Sequence, residues 1–167
     1  TRLNRYRIIA EQRARFQQLF ELSPAAILIV RADGVLVEIN ARADDLLSPL
    51  LSPPRPGSRL EDLLPPEAAT VVGRVVADAL AERIVIAPVV VTVGRADDEH
   101  VLNVRAACLH EGDGDLVVLQ LDDITAETRA RRALETMNQD LEVMVRARTR
   151  ELEAANQLLL SYAAFVS

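Results

Sequence analysis

The chain has 167 residues, half of them hydrophobic, with a net charge of −6 at pH 7 and one cysteine, Cys108. This length fits one domain with an additional long helix, and a lone cysteine excludes an internal disulfide framework and favours a reducing, cytoplasmic location. The acidic balance argues against nucleic-acid binding, and no apolar run approaches the roughly 20 residues that cross a bilayer, so we expect no direct membrane contact.

Residues 1–22 are predicted to form an N-terminal amphipathic helix. The pair Ser23-Pro24 ends this helix, because a residue that precedes proline avoids the helical conformation. The apolar residues that recur at helical spacing are Leu3, Tyr6, Ile9, Phe16, Leu19 and Phe20.

Two short apolar runs follow, over 25–30 and 35–39. They flank the turn residues Asp33 and Gly34, so this segment is predicted to be a β-hairpin. Asn40 comes directly after the second run, where its side chain is placed to cap a short helix.

The short helix is predicted to extend to Leu47. A proline-rich stretch over 48–58 must then be irregular, since proline interrupts both helices and strands. Pro66 stands where a helix tolerates proline, and apolar residues recur at helical spacing over 67–83, which predicts a central helix.

Three β-rich runs come next, over 84–93, 101–109 and 116–121. In the second run, alternation places one set of apolar residues on one face: Leu102, Val104, Ala106 and Cys108. Two strands, a helical middle and three further strands predict an α+β domain over residues 23–125, with an antiparallel five-stranded sheet and its helices on one face.

Both histidines, His100 and His110, are interpreted as ordinary surface residues in the turns around 94–99 and 111–114. No second ligand at a regular spacing accompanies either of them, so we expect no metal site and no catalytic residue. Cys108 is interpreted as a small buried hydrophobe, because no basic residue stands beside it in the sequence.

Residues 126–167 contain neither glycine nor proline and predict one helix of about 42 residues. Its heptad pattern predicts a coiled coil, and a second copy of the chain is the natural partner, so we expect a parallel homodimer. One seam position holds Asn138, Val145, Leu152, Leu159 and Val166, and the other holds Leu134, Leu141, Arg148, Ala155 and Tyr162. Asn138 is tolerated in such a seam, whereas Arg148 weakens it.

Several stretches resemble the PAS family of sensor domains in their order and spacing. Residues 16–40, FQQLFELSPAAILIVRADGVLVEIN, resemble the family's opening, with its Asp33-Gly34 turn and Asn40. Residues 60–67, LEDLLPPE, resemble the entry to its central helix, and residues 121–135, LDDITAETRARRALE, resemble its closing signature. The resemblance implies a PAS fold, with a signal leaving through Asp123, Ile124 and Thr125 into the exit helix.

The tail, VRARTRELEAANQLLLSYAAFVS, resembles the linker that joins PAS domains to the phosphotransfer helix of bacterial sensor histidine kinases. This implies that the chain stops just before the phosphoacceptor histidine of a longer protein. The implied partners are that protein's own kinase domain and a response regulator, and a membrane anchor before residue 1 stays open. The chain itself is expected to lack enzyme activity.

Cofactors of the family are not expected here. Haem-binding members use a histidine on the central helix and flavin photosensors a cysteine nearby, and residues 60–83 contain neither. The inner pocket is predicted to be aliphatic, and two alternatives stay open: a small aliphatic ligand, or a core filled by its own side chains. The candidate lining residues are Val72, Val75, Val76, Leu102 and Val104.

Two further hypotheses about function remain. The domain could sense nothing and only hold two kinase chains together, or it could be a sensor attached to a different output domain. A filled core favours the first, and the kinase-like tail weighs against the second.

Overall fold

The computed structural model describes residues 2–83, 85–95, 97–112 and 114–167. By internal contacts the chain divides into two units, Thr1–Thr125 and Ala126–Ser167. Within the described residues the elements are α1 (Arg2–Leu22), β1 (Ala26–Arg31), β2 (Leu36–Ile39), α2 (Ala41–Leu47), α3 (Leu60–Leu63), α4 (Pro66–Glu82), β3 (Val85–Arg95), β4 (Asp98–Glu111), β5 (Gly114–Asp123) and α5 (Thr125–Val166).

The five strands form one antiparallel sheet in the order β2-β1-β5-β4-β3. One apolar core lies between one face of this sheet and helices α2, α3 and α4. The predicted alternation in β4 is confirmed where the core is deepest, since Leu102, Val104 and Ala106 are all buried. The predicted α+β class is therefore correct, and β5, which leads directly into α5, is the central strand.

Helix α4 covers the core. Pro66 occupies its first turn, where the missing amide hydrogen would have no helical partner in any case. The helix ends at Arg83, which adopts the left-handed conformation with φ of 53°. The buried face consists of Ala68, Val72, Val75, Val76 and Ala79, and this spacing is the one that predicted the helix.

The β3–β4 hairpin is longer than predicted. Strand β3 continues through Arg95 and β4 begins at Asp98, so Gly94 pairs with Glu99 inside the ladder rather than in a turn. Polar residues beyond the core still pair, because backbone hydrogen bonds continue where side-chain burial stops. The predicted strand start at residue 84 and the turn residue 113 lie outside the described residues.

Helix α1 is confirmed, but its apolar side chains do not form a single stripe. Ile8 and Ile9 are adjacent and therefore point about 100° apart, and both are exposed. Phe20 alone in this helix is buried, and its ring stacks on Phe16 with centroids 6.0 Å apart. The amphipathic character predicted for residues 1–22 is thus wrong for most of the helix, because spacing alone does not show that the intervening positions are polar.

Candidate functional site

The domain core contains a small cavity of about 20 Å³, lined by leucines, valines and Pro54. Leu51 and Pro54 come from the irregular loop between α2 and α3, which is tied to β2 by the Gly57 amide donating to the Leu36 carbonyl at 2.7 Å. About 10–15 Å³ of such volume holds one water molecule, and a wall without polar groups offers it no hydrogen-bond partner. Ligand pockets usually enclose several hundred Å³. The core is therefore filled by its own side chains.

Three of the five residues predicted to line a pocket, Val72, Leu102 and Val104, do line this cavity. Val75 and Val76 are buried in the same core but are not part of the cavity wall. They lie one turn further along α4, where Val76 borders a separate surface cleft beside Gly34. Sequence periodicity predicts that a residue is buried, but not which cavity it borders.

The turn between β1 and β2 is held by its own side chains. Asp33 accepts hydrogen bonds from the Arg31 guanidinium at 2.8 Å and from the Val35 amide at 3.2 Å. The Arg31 hydrogen bond, followed by that of Val35, lowers the pKa of Asp33 below its ordinary value. Gly34 has a φ of 81°, which only glycine adopts without strain, so both predicted motif residues have a local structural role.

Asn40 connects three elements from a fully buried position. Its Oδ1 accepts from the Ala43 amide in the first turn of α2 and from the Ile27 amide of β1, each at 2.9 Å. Its Nδ2 donates to the Phe20 carbonyl of α1 at 3.1 Å and to the Ala25 carbonyl at 2.8 Å. The predicted helix cap is confirmed, and Asn40 also fixes where α1 meets the sheet.

The junction between β5 and α5 is a hydrogen-bonded cluster. The Ile124 amide donates to the Val101 carbonyl at 2.9 Å, and the Val101 amide donates to the Thr125 hydroxyl at 2.9 Å. The Thr125 hydroxyl and amide both donate to Asp123 Oδ1. All three residues predicted as the signal relay are therefore bound to one another or to β4 where α5 begins.

His100 completes this junction, which the sequence did not indicate. Its Nδ1 lies 3.1 Å from Asp123 Oδ2, and its Nε2 lies 3.3 Å from Asp98 Oδ1. It belongs to β4 and its side chain is 28% exposed, so the prediction of an ordinary turn residue was wrong. The physical reason is that β4 begins earlier than predicted and brings His100 beside the end of β5.

The charge state of Asp123 is set by this cluster. Partial burial acts to raise the pKa of Asp123, but hydrogen bonds from Thr125 and from His100 outweigh it, and the net pKa is lowered. Asp123 is therefore an anion near neutral pH, which makes it a strong acceptor for the Thr125 hydroxyl and amide.

Among the residues that the structure describes, one group combines three side chains able to ligate a metal ion. Cys108, His110 and Asp115 have ligand atoms that all lie within 4.8 Å of one another. The hydrogen bond with His110, at 2.7 Å, lowers the pKa of Asp115. His110 is paired within β4 rather than placed in a turn, so its prediction as a turn residue was also wrong.

Comparison with known proteins decides the family. A family model described as PAS fold matches residues 20–129, which is most of the domain and more than half of the chain. The chain belongs to the PAS family. No curated protein matches the sequence.

Solved structures support the PAS fold at low sequence identity. The PAS domain of an HTR-like protein from Haloarcula marismortui is 20% identical, with a TM-score of 0.51 over 72% of this chain and 98% of that one. A PAS domain from Colwellia psychrerythraea is 16% identical, with a TM-score of 0.55 over 71% and 98%. The PAS domain of BvgS from Bordetella pertussis is 14% identical, with a TM-score of 0.54 over 78% and 98%.

The exit helix of the PAS domain, α5, has the predicted length of 42 residues, at Thr125–Val166 instead of 126–167. The large apolar seam side chains are all exposed in the single chain, from 52% at Leu141 to 68% at Tyr162. Arg148, the charged seam residue, pairs with Glu151 of the same helix at 2.9 Å. Across the described residues, no helix has an apolar stretch long enough to cross a membrane.

Proposed function

We propose that this PAS domain is the sensory and dimerisation module of a sensor histidine kinase. Two copies pair through α5 as a parallel coiled coil, and a change in the domain reaches the downstream kinase through this helix. The exposed heptad stripe of α5 is the single observation that carries the proposal.

The stripe needs a partner because a lone helix cannot bury it. Leu134, Leu141, Val145, Leu152 and Leu159 each expose more than half of their surface. Exposed apolar area costs free energy in proportion to its extent, at about 25 cal/mol per Å². Heptad spacing places these side chains along one line, where a second identical helix offers a matching line.

The junction supplies a physical connection between sheet and helix. Val101 uses both of its backbone groups to hold Ile124 and Thr125, so the start of α5 is bound to the β4 backbone. A rearrangement of these bonds would alter the direction or rotation with which the helix leaves. In the proposed mechanism, the coiled coil then sets whether the downstream histidine reaches the kinase domain.

Asn138 and Arg148 are the proposed two-state positions of the seam. A polar residue at a core position fixes register at a cost in stability. The Arg148 side chain already pairs within its own helix, so it can leave the seam without losing its partner carboxylate. Alternative packings around these two positions would then differ by a small free energy.

The dimer is tested by a matched pair of substitutions in α5. Val145 lies in the seam and Val143 on the opposite side, and they are 62% and 66% exposed in the single chain. We expect Val145→Asp to weaken the dimer by roughly 100-fold or more in sedimentation equilibrium, because a charge enters the seam. Val143→Asp should leave the dissociation constant unchanged. A monomeric wild-type chain, or equal effects of the two variants, would refute the coiled coil.

The relay is tested in a longer protein that carries the kinase domains. Thr125→Val removes the hydroxyl that joins β4 to the start of α5, and Thr125→Ser restores it. We expect the valine variant to change autophosphorylation while remaining dimeric, and the serine variant to behave as wild type. Unchanged autophosphorylation in the valine variant would contradict the relay.

A second candidate is a module that dimerises the kinase without sensing anything. The filled core favours it, because a cavity of about 20 Å³ leaves no room for a ligand. Native mass spectrometry separates the two, since a sensor of an aliphatic ligand would carry an added mass on each chain. Autophosphorylation that is insensitive to the junction, in a dimer without added mass, would favour the spacer.

A further inference from the structure

We propose that Cys108, His110 and Asp115 form a binding site for Zn²⁺ at the closed end of the β4–β5 hairpin. The proposal does not depend on the signal relay described above. It rests on three different metal-ligating side chains that the hairpin brings to one place.

The backbone register produces this arrangement. Cys108 and His110 are two residues apart on β4, so their side chains point to the same face. His110 is the direct cross-strand partner of Asp115 on β5, and its Nδ1 lies 2.7 Å from Asp115 Oδ1. The ligand positions are therefore fixed by the paired strands on which the side chains stand.

The distances are close to those of a bound ion. Bonds of about 2.0–2.3 Å in a tetrahedral zinc site place neighbouring ligand atoms roughly 3.3–3.8 Å apart. The three ligand atoms here lie within 4.8 Å of one another, and the hydrogen-bonded His110 and Asp115 atoms are 2.7 Å apart. Binding of an ion therefore requires the sulfur to approach and the hydrogen-bonded pair to separate, each by about 1 Å or less. Three protein ligands leave the fourth position open to water.

The donor set suits zinc better than calcium or magnesium. Those ions take oxygen ligands, whereas a thiolate and an imidazole select zinc and its transition-metal neighbours. A thiolate and a carboxylate together balance the two positive charges of Zn²⁺, so the bound site is neutral although the positive charge of Arg83 lies nearby. Cys108 is half-buried and His110 exposed, so an ion can reach the site from solvent.

The alternative is an ordinary cross-strand pair of His110 and Asp115 with no metal. Such an exposed pair contributes at most about 1 kcal/mol and has no need of a cysteine. Participation of the Cys108 sulfur therefore separates the two interpretations.

The test is titration of the purified, reduced chain with Co²⁺ and then Zn²⁺. Co²⁺ reports a sulfur ligand by a thiolate charge-transfer band in the near ultraviolet, and Zn²⁺ should displace it at one ion per chain. Zinc affinity is measured by competition with a chromophoric chelator. We expect Cys108→Ser to abolish the band, and Cys108→Ser, His110→Gln and Asp115→Asn each to weaken zinc binding about tenfold or more.

The control is His100→Gln, which removes the histidine that lies between two carboxylates at the other end of β4. This variant should bind zinc as the wild type does. Circular dichroism of each variant shows whether the fold is kept. The test needs only two folded variants among Cys108→Ser, His110→Gln and Asp115→Asn. Absence of the thiolate band in the wild type, or equal zinc affinity in all folded variants, would overturn the proposal.

Discussion

Replacement of Asn40 by alanine should destabilise the domain more than almost any other single polar change. The Asn40 side chain makes four hydrogen bonds from a position with 0% exposure. Alanine leaves two backbone amides, of Ile27 and Ala43, and two carbonyls, of Phe20 and Ala25, without this partner. A water molecule in the vacated space could restore only part of these four hydrogen bonds.

The expected loss follows from these contacts. Removal of a helix cap costs about 1 kcal/mol, and each buried group left unpaired costs about 1–3 kcal/mol. Because partial relaxation makes these terms less than additive, we expect a total of about 3–5 kcal/mol. Against a typical stability of about 5–15 kcal/mol, this lowers the melting temperature by on the order of 10 °C.

Urea unfolding followed by circular dichroism measures the effect, at equal protein concentration because the proposed dimer would add to stability. Asn103→Ala is the matched control, since Asn103 is a half-buried asparagine of β4 outside the core cluster. It should lose no more than about 1 kcal/mol. If the free energies of unfolding of Asn40→Ala and Asn103→Ala differ by less than about 1 kcal/mol, the role of Asn40 in joining α1, β1 and α2 is refuted.

Three further predictions use the same unfolding assay. Asp123→Asn should lower the free energy of unfolding at neutral pH, where the carboxylate is ionised in both the folded and the unfolded state. Folding lowers the pKa of Asp123 below 3.8, so the difference between wild type and variant should shrink as the pH falls to 3.8 and below. A difference that does not change with pH would contradict this. Thr125→Val should lose about 1–3 kcal/mol by leaving an amide of β4 unpaired, and Thr125→Ser should recover most of it. Gly94→Ala should destabilise the domain, because residue 94 has a φ of 108° and a Cβ there would clash with the Asp98 carbonyl. Gly73→Ala lies in open space on α4 and should raise the free energy of unfolding by about 0.5–1 kcal/mol. Effects of the same sign would refute this contrast.

The sequence could predict the features of the fold that depend only on residues close together in the chain. Asn40 stands directly between an apolar run and a helical pattern, so its capping role needed no knowledge of distant residues. Its bonds to Phe20, Ala25 and Ile27 were out of reach, because they depend on how α1 and β1 approach the start of α2. Sequence patterns describe one segment at a time, and such contacts join several.

The cross-strand pairs were missed for a different reason. The register of the β4–β5 ladder pairs Glu111 with Gly114, and this register places His110 opposite Asp115. A turn was predicted at this place, but sequence patterns outside the core do not show the strand register that pairs two polar residues. His100 was missed as well, because its segment was assigned to a turn instead of to the first residues of β4.

The sheet also limits how a signal could leave the domain. Strand β5 is central and pairs along its length with both β1 and β4. Sliding it by one residue would turn Leu119 and Leu121 out of the core, so the strand cannot shift register without unfolding. In the proposed relay, a change that reaches α5 arises in the side-chain bonds at Asp123 and Thr125, which can rearrange while the ladder stays intact. For this reason Thr125→Val tests the relay more directly than any substitution in the cavity wall.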